Sequence, residues 1–300
     1  MKPNISVIIC THNPREDYLF RALEALRFQA LPKDAWDLLI VDNKSTKPIS
    51  LDLGWHPSAR VLREEELGLT QARLRGIVEA KAELLVFVDD DNLLDANYLK
   101  EALQIAQKHP NLGVWSGQVL PEFEIEPPEE ILPFISVLCI RTIEEEVWGN
   151  ARNAANLPFG AGMCLRTNVA HAYASELRSG SERALLGRRG KLLTSSEDLD
   201  IALTSIDIGM GIGIFPSLCL KHLIGSKRLS REYILKLIED SAYGQVIFER
   251  ARGIFSSSAV SRIDRMVSAY KLWRATPMQK AVAAARVRGI QRAKQVGFTP

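Results

Sequence analysis

A chain of 300 residues with 46% hydrophobic and 25% charged content can fill a sizeable core, which excludes an intrinsically disordered polypeptide. Its four cysteines, Cys10, Cys139, Cys164 and Cys219, stand singly with no CxxC pair, which argues against a zinc or redox centre and for buried thiols in a reducing compartment. The net charge of +2 hides an asymmetry: residues 221–300 hold 16 Lys+Arg against 5 Asp+Glu, so the rest of the chain is acidic.

The N-terminus enters an apolar run at residues 5–9 without a basic leader or cleavage site, which points to the cytoplasm. Further apolar runs at 38–41, 84–88 and 114–119 predict strands, and the spacing of leucines and isoleucines predicts helices over 17–29, 69–81 and 97–109. This alternation is that of βαβ units around a mostly parallel sheet. The proline- and glutamate-rich stretch 121–133 reads as a connection. Residues 131–140 are apolar but contain Pro133 and are about half the length a bilayer requires.

Beyond it, 150–166 is rich in small residues and 178–193 is basic and glycine-punctuated, and both read as loops near a site. The run 209–214 resembles a dinucleotide glycine loop, but no helix follows and Pro216 comes soon after, so an edge strand is expected. From residue 231 the pattern is helical, broken near 253–258 and at Pro277, which predicts three helices. Residues 251–300 carry ten Lys+Arg against the single Asp264, interleaved with Met266, Leu272, Trp273, Val282, Val287 and Ile290. Such a tail suits an anionic membrane surface, or packing on the protein itself or on a second subunit in a homodimer. Nucleic acid is disfavoured, because no recognised binding module accompanies the charge.

Three consecutive aspartates, Asp89, Asp90 and Asp91, stand directly behind the run 84–88. A strand ending in carboxylates projects them into the crevice beyond its C-terminal edge, where open α/β sheets bind ligands. Adjacent anions repel one another, and a hard cation or water screens them; the plainer alternative is a solvated acidic turn. The first strand ends in Thr11-His12-Asn13 and the second in Asp42-Asn43, so three strand ends deliver polar side chains to one edge. Asp42 suits a ribose or base, or a turn. Arg73, on the first turns of the helix opened by Gly68, can stack on a base, fork onto an anionic oxygen or lie on the surface. Ser195-Ser196-Glu197-Asp198 reads as a serine-capped helix start whose acids favour the dipole.

Taken in order, these segments resemble the family 2 glycosyltransferases of the GT-A fold, which transfer sugars from nucleotide-sugar donors with inversion. The resemblance covers about residues 4 to 230 and departs from the family pattern at His12, often an aromatic, and at Leu74, often an asparagine. It implies a Rossmann-like mixed central sheet flanked by helices, with a nucleotide half at 1–120, an acceptor half at 121–230 and a basic helical extension at 231–300. It implies nucleotide contacts from Thr11, His12, Asn13, Asp42, Arg73, Asp89 and Asp90. A divalent ion, Mn²⁺ or Mg²⁺, is expected at Asp91, Asp89 and His222, and phosphate contacts at Lys227 and Arg228. Gly160-Ala161-Gly162-Met163 corresponds to the acceptor-side loop, and Asp198, with Glu197 second, to the catalytic base. The implied substrates are a nucleotide sugar, UDP-linked by expectation, and a saccharide or lipid-linked acceptor of polysaccharide or glycoconjugate synthesis, reached at the inner face of the membrane. The alternative is a noncatalytic nucleotide-sugar or metal-binding protein that docks through its basic tail. A nucleotidyltransferase would carry a glycine-rich basic loop near the N-terminus, which residues 10–16 lack.

Overall fold

The structure is a computed structural model that describes residues 2–152, 157–177, 181–254 and 274–296. Strands β1 (Ile5–Thr11), β2 (Trp36–Asn43), β3 (Ala59–Glu64) and β4 (Leu84–Asp89) run parallel in the spatial order β3-β2-β1-β4. β1, β2 and β4 are buried on both faces, which is why they read as unbroken apolar runs. Helices α1 (Glu16–Arg27) and α3 (Tyr98–Lys108) cover the face to which Ile5, Val7 and Ile9 point. The opposite face, presented by Ile8, is covered by α2 (Leu69–Glu79), α4 (Thr167–Glu176) and α5 (Glu197–Asp207). The two-residue alternation of a strand thus assigns each apolar side chain to one of two cores.

The sheet continues from β4 through β8 (Cys164–Arg166), β6 (Leu112–Phe123) and β9 (Gly211–Ile224) to β5 (Asn92–Leu94), with β7 (Val147–Gly149) also on β9. β8 is antiparallel to both its neighbours, so the expected mixed α/β sheet flanked by helices is the architecture observed. Two details differ from expectation. β6 continues through Pro121 as far as Phe123, so the connection begins later. The segment 209–214 feeds an interior strand, not an edge: β9 has β6 on one side and β7 and β5 on the other. Pro216 is accommodated because the β6–β9 register breaks between Phe215 and Cys219, where its missing N–H leaves no ladder bond open.

The C-terminal segment forms α6 (Arg231–Ala251) and α7 (Pro277–Gln295), which pack on each other. Gly289 sets their closeness, since a Cβ there would lie 2.1 Å from the carbonyl oxygen of Glu239. Met278, Val282 and Ala285 bury against Ile234, Leu237 and Ile238, while Arg288 and Arg292 pair with Glu239 and Asp240. The basic helix α7 is therefore seated on the protein, with Val287 and Ile290 on its outer side. The expected helix containing Met266, Leu272 and Trp273 lies outside the described residues. Among the described residues no helix is long and apolar enough to cross a membrane.

Candidate active site

A cavity of about 290 Å³ opens at the C-terminal ends of β1 and β4, near the lower bound for small-ligand sites. Thr11 and the Asp89–Asp91 cluster reach it from the strand ends, Arg73 from α2, Glu197 and Asp198 from α5, and His222 and Arg228 from the end of β9 and the turn after it.

Thr11 donates its hydroxyl to Asp90, tying the first strand end to the acidic cluster. Burial and the adjacent Asp91 carboxylate push the Asp90 carboxyl up to about 7, against the Thr11 hydrogen bond. Asp91 goes the other way: burial raises it, but the charged groups around it, the Arg228 guanidinium among them, hold it below the usual aspartate range. These partners meet because β5 pairs with β9 in the register Asn92↔His222, and the N–H of Leu223 donates to the Asp91 carbonyl at 2.8 Å. One guanidinium nitrogen of Arg228 stands 2.8 Å from Asp91 Oδ2 and 2.9 Å from His222 Nε2. Guanidinium groups only donate, so Nε2 presents its lone pair, as Asp91 Oδ2 does 3.4 Å away. The two atoms form a paired-donor arrangement that fits a cation, and Arg228 stands in for one. Among the described residues no third His, Cys, Asp or Glu completes a metal-holding group, so the expected triad of Asp89, Asp91 and His222 is not assembled. Phosphate oxygens or water would complete the coordination of an ion there.

The acidic pair at the start of α5 divides into two environments. Glu197 is buried; its Oε2 accepts from the Thr70 hydroxyl at 3.1 Å and its Oε1 faces Arg73 at 3.5 Å. Asp198 is half-buried on the cavity wall, where it accepts from the backbone N–H of Gly160 at 3.1 Å and of Leu199 at 2.9 Å. Burial raises both carboxyls, opposed chiefly by the Arg73 charge. Ser196 occupies the cap position of α5, but its side chain makes no capping bond. A Cβ on Gly160 would stand 2.9 Å from a guanidinium nitrogen of Arg73 and 3.5 Å from the Asp198 Cβ, so the end of Arg73 would have to give way.

Other expected site residues separate. Gly160 and Ala161 line the cavity, whereas Met163 is fully buried behind it and the Gly162 carbonyl accepts from the Tyr98 hydroxyl at 2.7 Å. His12 lies at the exposed rim, its Nδ1 2.8 Å from the Asn43 carbonyl. Asn13 and Asp42 do not line the cavity. Asn13 braces the loop after β2 through Ser45 and Thr46, and Asp42 is consumed by Ser45, Ile49 and Arg63. Lys227 is exposed and outside the lining, and Arg228 is engaged by Asp91.

The cavity also has walls to which the sequence assigned no ligand contact. Asn43 accepts from the Gly68 N–H at 2.8 Å and donates to the Glu66 carbonyl at 2.7 Å, fixing the entry to α2. Cys139, in the left-handed backbone region at φ 59°, lines the cavity with Cys10. Residues 187–195 form a further wall that carries Arg188 and Arg189. Its basic, glycine-punctuated composition marked the segment without marking the residues.

The pattern that defines glycosyl transferase family 2 matches residues 6–156. Protein y4gI of Sinorhizobium fredii (strain NBRC 101917 / NGR234), itself uncharacterized, is 30% identical over 118 residues, 37% of this chain and 13% of that protein. EpsH of Bacillus subtilis (strain 168), whose name assigns it provisionally to the glycosyltransferases, is 28% identical over 117 residues, 37% of this chain and 33% of EpsH. The match thus spans a third or less of these relatives' own length. Crystal structures of S. aureus TarS 1–349 share the fold. The complex with UDP gives a TM-score of 0.54 at 14% identity, and the complex with UDP-GlcNAc 0.55 at 16%, each covering 97% of this chain and 82% of that one.

Proposed function

The chain belongs to glycosyl transferase family 2, and from that premise we propose that it is an inverting enzyme moving a sugar from a UDP-linked donor to a hydroxyl of a saccharide or lipid-linked acceptor. The observation that carries this reading is that Asp198 and the Asp89–Asp91 cluster border one cavity at the sheet's C-terminal edge. The choice of UDP is supported by the same fold in TarS, which was solved with UDP and with UDP-GlcNAc.

An inverting transfer needs one displacement at the anomeric carbon and one base. Asp198 is the base: its oxygens are oriented by two backbone N–H groups, and it is the less buried member of the acidic pair. Glu197, held by Thr70 and Arg73, fixes the helix start and keeps Arg73 at the cavity. On the leaving side, negative charge accumulates on the diphosphate. A divalent ion held by Asp91 and His222, with Mn²⁺ favoured over Mg²⁺ by the imidazole, would supply Lewis-acid stabilisation there. Arg228 is held on the same side between Asp91 and His222.

A melting-temperature screen of UDP-, GDP- and dTDP-sugars with and without Mn²⁺ tests the donor, followed by nucleotide release from the best one. The expected result is the largest rise with a UDP-sugar plus Mn²⁺. Equal responses to all three nucleotides would sink the UDP assignment, and no response to any would sink the donor site itself.

A further inference from the structure

We propose that Arg188 is the residue that holds the diphosphate of the donor, in place of the Lys227 and Arg228 pair expected from sequence. The inference deepens the donor site and rests on the nucleotide-sugar reading above.

The cavity is lined by four arginines, Arg73, Arg188, Arg189 and Arg228. Two are committed: Arg73 faces Glu197 at 3.5 Å and Arg228 faces Asp91 at 2.8 Å. Arg189 is exposed to solvent. Arg188 is half-buried, and among the described residues its guanidinium has neither an acidic partner nor a hydrogen bond. It lines the same cavity as the acidic cluster and Cys139. A cavity-lining guanidinium with no partner among the described residues is available to an anion that enters the cavity.

The backbone delivers this side chain from a firm base. The Arg188 carbonyl accepts from the Leu69 N–H at 2.9 Å, and the Gly187 carbonyl accepts from the Thr194 hydroxyl at 2.8 Å. A Cβ on Gly187 would lie 2.2 Å from Thr70 Oγ1 and 2.4 Å from Glu197 Oε2, so only glycine lets the loop press onto α2 and α5 at that point. Further along, the Leu193 N–H donates to the buried Asp240 of α6 at 2.9 Å. A planar guanidinium so placed can fork onto two oxygens of a diphosphate. When the bond between sugar and phosphate oxygen breaks, the electron pair stays on the phosphate oxygen. Arg188 accommodates that charge without exchanging a proton.

The test is calorimetric titration of UDP and of uridine into the full chain, the Arg188→Ala variant and the Arg188→Lys variant, with unliganded melting temperature as the folding control. Expected are an affinity for UDP at least ~10-fold weaker in Arg188→Ala, an intermediate loss in Arg188→Lys, and unchanged affinity for uridine. UDP affinity retained in Arg188→Ala overturns the assignment, as does an equal loss for uridine, which would make the role structural. A full chain that binds no nucleoside diphosphate overturns the donor reading together with this one.

Discussion

Asp91 and His222 hold their facing atoms 3.4 Å apart, and a single nitrogen of Arg228 lies within 2.9 Å of both. An ion entering between these lone pairs has to compete with a guanidinium already there. Replacing Arg228 by glutamine removes that competitor, and nucleotide-free affinity for Mn²⁺ should rise about tenfold, the worth of one charge-assisted contact. Asp91→Asn should weaken it instead. Titration calorimetry with Mn²⁺ alone checks both, and an affinity indifferent to Arg228→Gln would show that arginine and ion do not share the position.

The two acids of α5 should fail differently. Asp198→Asn preserves shape and removes the proton acceptor, so turnover should drop by ~10²- to 10⁴-fold while the melting-temperature rise with UDP persists. Glu197→Gln leaves Arg73, almost wholly buried, without the carboxylate that faces it at 3.5 Å. Loss of one member of a buried pair costs roughly 3 kcal/mol, which in a chain of this size lowers the melting temperature by roughly 6 °C. If Glu197→Gln abolished turnover at unchanged stability while Asp198→Asn remained active, the two roles would have to be exchanged.

Burial lifts the Asp198 carboxyl above the ordinary aspartate value, with the Arg73 charge and the Gly160 and Leu199 N–H groups pulling it back. A base works only when ionised. Turnover should therefore fall on the acid side, with a midpoint above that of a solvated aspartate, and recover as pH rises. A kcat profile from pH 4 to 8 checks this, and the limb should be missing from the residual activity of Asp198→Asn.

What the sequence disclosed, and what it did not, follows from locality. Residues 84–91 announce both a buried strand and a carboxylate site, because apolar run and acid cluster adjoin. β3 holds only Ala59, Val61 and Leu62 as apolar residues beside Arg60, Arg63 and Glu64 at the sheet's edge, so it forms no apolar run, and β5, β7 and β8 are three residues each. Asp42 and Asn43 are neighbours pointing to opposite sides of β2, and no local pattern tells which meets the cavity; Asn43 does. Contact between Asp91 and Arg228 depends on the return of β9 beside β5, a pairing across 130 residues that spacing alone does not encode. Arg188 resembles any loop cation in sequence, since its distinction is the lack of a partner among the described residues, a property of the assembled cavity.

The C-terminal helices offer the last test. Gly289 lets α7 rest directly on α6, and a Cβ there would stand 2.1 Å from the Glu239 carbonyl oxygen and 3.0 Å from the Tyr243 nitrogen. Both are backbone atoms that cannot swing aside, so Gly289→Val has to push the helices apart. That shift strains the contact of Arg292 with Asp240, now 2.7 Å, and Asp240 in turn supports Leu193 on the cavity wall. Overpacking of this kind costs about 1–3 kcal/mol, or roughly 2–6 °C in melting temperature. Because the wall carrying Arg188 loosens as well, UDP affinity should weaken alongside stability. An unchanged melting temperature for Gly289→Val would mean that α7 does not sit on α6 in this way, whereas lower stability with full UDP affinity would separate the helices from the support of the cavity wall.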